Sequence, residues 1–148
     1  MLRHFHYRDP SYALPRILLI ALDTVALLKS ALDPERFQRL LGSAGLVELN
    51  EAADDLLAGL TSHDEGRPPT PAEAADWHQR FDEAWVLLAS AGVGLRADRA
   101  AAAQAYVAER ARWDRRLRAL ADVMLYEWAE IERERSRDVA PLQRREAE

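Results

Sequence analysis

The apolar positions of this chain recur at helical steps of three and four, and no segment alternates at period two. The densest run is ALPRILLIALDTVALLKSAL, Ala13 to Leu32. Its apolar residues cover most of a helical wheel, the pattern of a helix surrounded by other helices. Pro15 suits the first turn of such a helix, which the pattern predicts over 14–32. Within it Arg16, Asp23 and Ser30 recur at sevens and make one narrow polar stripe, with Thr24 beside Asp23. The stripe is expected to be a solvent-facing seam. The competing reading is a polar contact to another helix or subunit, which makes Arg16, Asp23 and Ser30 the candidate interface residues.

The same run has to be weighed as a membrane span. Its uninterrupted part, Ile17 to Leu28, would cover about 18 Å of a hydrocarbon core about 30 Å thick. Asp23 sits in the middle, and a central Asp costs roughly 2.5–3.5 kcal/mol on insertion. Ile, Leu and Val return only about 0.3–0.6 kcal/mol each. Arg16 and Lys29 close the two ends. A buried core helix is therefore expected.

Further along, LDPE ends one helix and begins another, with Asp33 as N-cap and Pro34 at the first helical position. ERFQRLL predicts a short helix weakened by GSAG at 42–45. LVELNEAADDLLAGL then resumes the helical period, with Leu46, Leu49, Ala53, Leu56, Leu57 and Leu60 expected on one face. TSHDEGRPPT, 61–70, is a linker rich in helix breakers. TPAE at 70–73 is a capping box opening a helix with Trp77, Phe81, Ala84, Trp85 and Leu88 on one face, and Gly92 is its natural end. After Asp98, a further N-cap, one long helix is predicted over 99–134, with Tyr106, Trp113, Leu117, Leu120, Met124, Trp128 and Ile131 in a stripe. The mixed-charge residues 136–148, with Pro141, predict a frayed or disordered tail. Residues 1–13 form an aromatic and basic lead-in, and the helical domain covers 14–135. The expected fold is all-α: four or five helices bundled around the central apolar one, with Trp77, Trp85 and Trp113 in or near the core.

Composition narrows the function. The chain has 148 residues, enough for one domain with a real core. Cys is absent, which excludes disulfides, thiolate nucleophiles and Cys-based zinc sites. The net charge of -5 argues against a general nucleic-acid binder. Lys29 is the one Lys; every other basic residue of the Lys/Arg class is Arg. MLRHFHYRDP carries no apolar stretch of signal-peptide type.

Few groups hint at chemistry. His78 and Asp82 lie one helical turn apart, with Asp76 and Glu83 near, yet no HExxH or ExxH pattern accompanies them. A surface ion pair is expected there. HDE at 63–65 lies in the linker, and Glu51, Asp54 and Asp55 read as a solvated helix face. No GxSxG, P-loop or GxGxxG is present, so no catalytic, cofactor-binding or metal-ligating residue is assigned, and no enzyme or small-molecule substrate is expected. RARWDRRLR, 110–118, interleaves five Arg with a Trp, but Asp114 lies four residues from both Arg110 and Arg118, which predicts a solvated, ion-paired face. Arg3, His4, Phe5, His6, Tyr7 and Arg8 of the lead-in have the composition of a segment lying near a membrane surface.

YRDPSYALPRILLIALDTVALLKSAL, WHQRFDEAWVLLASAGVGLR and AYVAERARWDRRLRALADVM stand in an order that resembles the helical domain following the pore in bacterial ion-channel-like proteins of the two-transmembrane potassium-channel type. The resemblance covers roughly 7–134 and rests on apolar and aromatic positions. The pair of membrane spans and the TVGYG-like filter of those proteins are absent from this sequence. The resemblance implies a non-catalytic cytoplasmic domain at the inner face of a membrane, acting in assembly or regulation as a homo-oligomer. The lead-in would then be the juxtamembrane connector. The alternative is a free-standing helical adaptor or regulator whose groove binds a partner protein.

Overall fold

The computed structural model describes residues 13–61 and 68–133. The predicted membrane-proximal residues Arg3 to Arg8, the HDE triplet and the tail 136–148 lie outside these. The fold is all-α. Helices run α1 (Leu14–Ala31), α2 (Gln38–Leu41), α3 (Ala44–Leu60), α4 (Pro71–Ser90), α5 (Arg99–Ala111), α6 (Asp114–Val123) and α7 (Trp128–Arg133). No strand occurs among the described residues, although a single antiparallel bridge joins Leu32 to Leu95.

α1 is the axis of the bundle. It packs against α3, α5, α6 and α7, while α4 lies against α5 on the outside. The core divides along α1. Leu18, Leu19 and Leu22 join Leu57, Trp113, Leu117 and Ile131 in one cluster. Ala26 and Ala31 join Trp77, Phe81, Ala102 and Tyr106 in another. Asp23 lies on α1 between these two groups. Phe81 holds the second cluster together, with ring centroids 5.5 Å from both Trp85 and Tyr106. No helix among the described residues is long and apolar enough to cross a membrane.

Local signals explain most helix ends. Thr70 and Glu73 form the predicted capping box, the Thr70 amide donating to Glu73 at 2.7 Å. The Ser43 hydroxyl accepts from the Leu46 amide, and the Asp98 carboxylate accepts from the Ala101 amide. Asp33 accepts from the Glu35 and Arg36 amides, making a capped turn; a regular helix starts only at Gln38. Gly92, at φ 73°, ends α4 in the left-handed conformation that a glycine adopts without strain. Leu125 takes the same role after α6 at φ 61°, where a side chain is unfavourable.

Three expectations are corrected. The single helix over 99–134 is three helices. Arg112 and Trp113 donate to carbonyls three residues back, so the chain tightens and turns there. The break falls where electrostatics favour it: Arg110 occupies the last turn of α5 and Asp114 the first turn of α6, each at the helix end that suits its charge. Met124, expected in the core stripe, is exposed at the end of α6. On α3 only Leu46, Ala53 and Leu57 are buried, while Leu49, Leu56 and Leu60 face outward. A 17-residue helix at the edge of a bundle has neighbours over a narrow arc, and the apolar residues of α3 are spread wider than that arc.

Candidate functional site

The predicted polar stripe on α1 is not a solvent-facing seam. Arg16, Asp23 and Ser30 are all buried. Arg16 donates from Nη1 to the Ile131 carbonyl of α7 at 3.2 Å. Asp23 meets α5: its Oδ1 accepts from the Tyr106 hydroxyl at 2.5 Å and from Arg110 Nη1 at 2.8 Å. The contact is therefore between helices of one chain. Burial at 8 % exposure or less leaves these three side chains little surface to offer a second subunit.

Arg110 is the centre of the arrangement and is 0 % exposed. Its expected place on a solvated face is corrected: Arg110 stands four residues after Tyr106 on the buried face of α5 and enters the seam between α1, α4 and α6. Nε donates to Asp114 Oδ1 at 3.1 Å, and Nη1 also reaches the Tyr106 oxygen at 3.2 Å. The guanidinium lies between two indoles, 5.5 Å from the Trp77 centroid and 5.2 Å from that of Trp113. The predicted pairing of Asp114 at four-residue steps is present on both sides, with Arg118 Nε donating to Asp114 Oδ2 at 2.6 Å. Glu132 of α7 extends the chain of charges, 3.7 Å from Arg110 Nη2 and 2.5 Å from Arg80 Nη2. Three acids and three arginines thus alternate through the seam. Arg110 Nη2 lies within ion-pair distance of Asp114, but at an angle that makes no hydrogen bond.

Such a network has to be nearly complete, because a buried charge without partners costs several kcal/mol. Burial raises the Tyr106 pKa to about 12, and the adjacent Asp23 charge adds to the rise. Burial works against the Arg110 charge, yet Tyr106, Asp23 and Asp114 outweigh it and hold the pKa above the ordinary arginine value. Arg110 is therefore a fixed cation and Tyr106 a fixed donor. Neither is poised to exchange protons near neutral pH, as a general acid or base must be.

Asp23, Tyr106, Arg80 and Glu132 of the network line a cleft of about 740 Å³ between α1 and α4. Leu27, Ala84 and Leu87 supply an apolar wall. Asp76, Gln79 and Glu83 line the cleft on the same helix, α4, as Ala84 and Leu87. Asp23 and Glu132 are neutralised by arginines, whereas Asp76 and Glu83 have no ion pair among the described residues. They stand seven residues apart on one helix, about 10.5 Å along its axis. His78 and Asp82 do not come together as a site: Asp82 pairs with Arg99 at 2.5 Å. Among the described residues no group of three or more His, Asp or Glu is placed to hold a metal ion. A second hollow, about 390 Å³, lies near Asp33, Arg96 and Asp98, whose polar groups serve the turns and caps around it.

Sequence reading named Asp23 but missed Arg110, Tyr106 and Asp114 as its companions. A usable signal existed: Tyr106, Arg110 and Asp114 stand at successive four-residue steps, so an aromatic hydroxyl, a cation and an anion share one line of approach. Comparison of the chain with protein-family models, with curated proteins and with solved structures finds no match in any of the three.

Proposed function

We propose that this chain is a non-catalytic helical interaction domain that binds a basic, amphipathic segment of a partner protein in the cleft between α1 and α4. One observation carries this reading. The cleft joins apolar side chains to two carboxylates without an ion pair among the described residues, Asp76 and Glu83, spaced by two helical turns, Glu83 accepting one hydrogen bond from Gln79. A partner helix with Arg or Lys at positions i and i+7 matches that spacing and lays its apolar side on Leu27 and Leu87. The network lining the cleft supports recognition and not turnover, because its charges are paired and its protons fixed.

The test is a titration of the full chain with a helical peptide carrying two Arg seven residues apart beside a leucine stripe. The expected result is saturable binding that the double variant Asp76→Asn, Glu83→Gln weakens by about tenfold, as loss of two complementary charges should. Equal binding by the double variant would remove the cleft as the site.

The resemblance to cytoplasmic domains of bacterial ion-channel-like proteins supplies a setting for the same domain: assembly or regulation at the inner face of a membrane. That setting adds a claim of its own, self-association, since such pores are built from repeated subunits. Light scattering on the full chain decides it. A monomer at high concentration discards the channel setting and leaves the adaptor.

A further inference from the structure

The outer face of α3 carries a pattern that no described residue of this chain covers. Gly45, Leu49, Ala52, Leu56 and Gly59 follow one another at steps of four, three, four and three, and all are exposed. Leu60 extends the stripe, and Leu49, Leu56 and Leu60 are 45 %, 42 % and 46 % exposed. A stripe at this spacing is the seam of a paired helix, where apolar residues recur every 3.5 positions. The two glycines point the same way. Gly45 lies in the first turn of α3 and Gly59 in its last, and neither is a cap residue, since Ser43 and Thr61 hold those positions. Neither has a steric reason within the chain, because a Cβ at either would meet no atom of the described residues within 4 Å.

Charge identifies what covers the stripe. Helical spacing puts Glu48 and Asp55 along its solvent-side border, with Glu51 just beyond. All three are exposed and have no ion pair among the described residues. α3 contains no Lys or Arg at all. A second copy of α3 laid antiparallel on this face would set acid against acid, and a parallel copy would offer those acids no cation, so the face is unsuited to pairing with itself. We infer that the outer face of α3 is a docking surface for a partner helix with an apolar seam bordered by basic residues. This surface is separate from the α4 cleft and does not depend on it.

The probe is a synthetic three-heptad peptide with Leu and Ala in the seam and Lys along the borders. Its control has Glu in place of every Lys. Fluorescence anisotropy with the full chain should show the Lys peptide binding at least about tenfold more tightly than the Glu peptide. Leu56→Glu should weaken the Lys peptide by about tenfold or more, as loss of a central apolar anchor does. The double variant Glu48→Lys, Asp55→Lys should reverse the preference between the peptides. Circular dichroism of each variant confirms the unchanged fold. Asp76→Asn with Glu83→Gln should leave this binding intact, which separates it from the cleft. Equal binding of the two peptides, or no effect of Leu56→Glu, overturns the inference. So does a concentration-dependent dimer in the ultracentrifuge that Leu56→Glu abolishes, because the face would then belong to a second copy.

Discussion

The seam around Arg110 and the outer face of α3 invert the usual order of a bundle. One holds six charges within or beside the core, and the other holds leucines in water. The difference lies in what each chain segment has for neighbours. The charges around Arg110 face groups from α1, α4, α5, α6 and α7, so nearly every polar atom finds a partner inside the chain. Leu49, Leu56 and Leu60 of α3 are exposed and have no such covering neighbours among the described residues. Interior position follows from available partners, and polarity alone does not decide it.

The largest effect should come from removing the centre of the ionic seam. Arg110→Met keeps much of the side-chain length but leaves Asp23 and Asp114 buried without their shared cation. Breaking such a cluster costs about 3–5 kcal/mol, and urea unfolding followed by circular dichroism should read a loss of that order. A change below about 1 kcal/mol would mean that water already reaches the seam.

Tyr106 offers a gentler probe of the same region. Its hydroxyl keeps its proton in the fold up to about pH 12, whereas in the unfolded chain it ionises near 10.0. The stabilisation is therefore fully present below pH 10 and is lost as pH rises from 10 towards 12. Its size is on the order of 2–3 kcal/mol, from two pH units of difference. Unfolding midpoints of the native chain and of Tyr106→Phe, measured at pH 9 to 11.5, should converge as pH rises.

Leu56 and Leu57, neighbours in sequence, sharpen the contrast between inside and outside. Leu57 is 0 % exposed and sits in the core with Trp113 and Leu117. Leu57→Ala should cost about 2–5 kcal/mol, whereas Leu56→Ala should stay within about 0.5 kcal/mol. Equal costs would mean that α3 is covered by its own chain in solution.

The elements of this fold were largely legible because their signals are local. The capping box at Thr70, the cap at Asp98 and the glycine at 92 each act within a few residues, and each acts where the sequence put it; the Ser43 cap, inside a stretch read only as a weakening of the helix, was missed. The break after Arg110 was not legible, because the apolar spacing runs through it unaltered; the turn is made by three-residue hydrogen bonds and end charges. Burial was the less readable property. Periodicity says which residues share a face, not whether another helix covers that face. Asp23 was therefore assigned to water and Leu49 to one face with Leu57, whereas the structure buries Asp23 and Leu57 and exposes Leu49.

The arginines of the seam also have an optical consequence. Each of the four tryptophans has a guanidinium over its ring: Trp77 and Trp113 share Arg110, Trp85 has Arg99 at 6.0 Å and Trp128 has Arg118 at 4.3 Å. A fixed cation beside an indole changes the energy of its excited state, so the emission of this protein registers charge placement as well as burial. Trp85 and Trp128 stand outside the central pair, and single Trp→Phe replacements would divide the signal between the Arg110 seam and its surroundings. The chain thus carries its own dye for the integrity of its core.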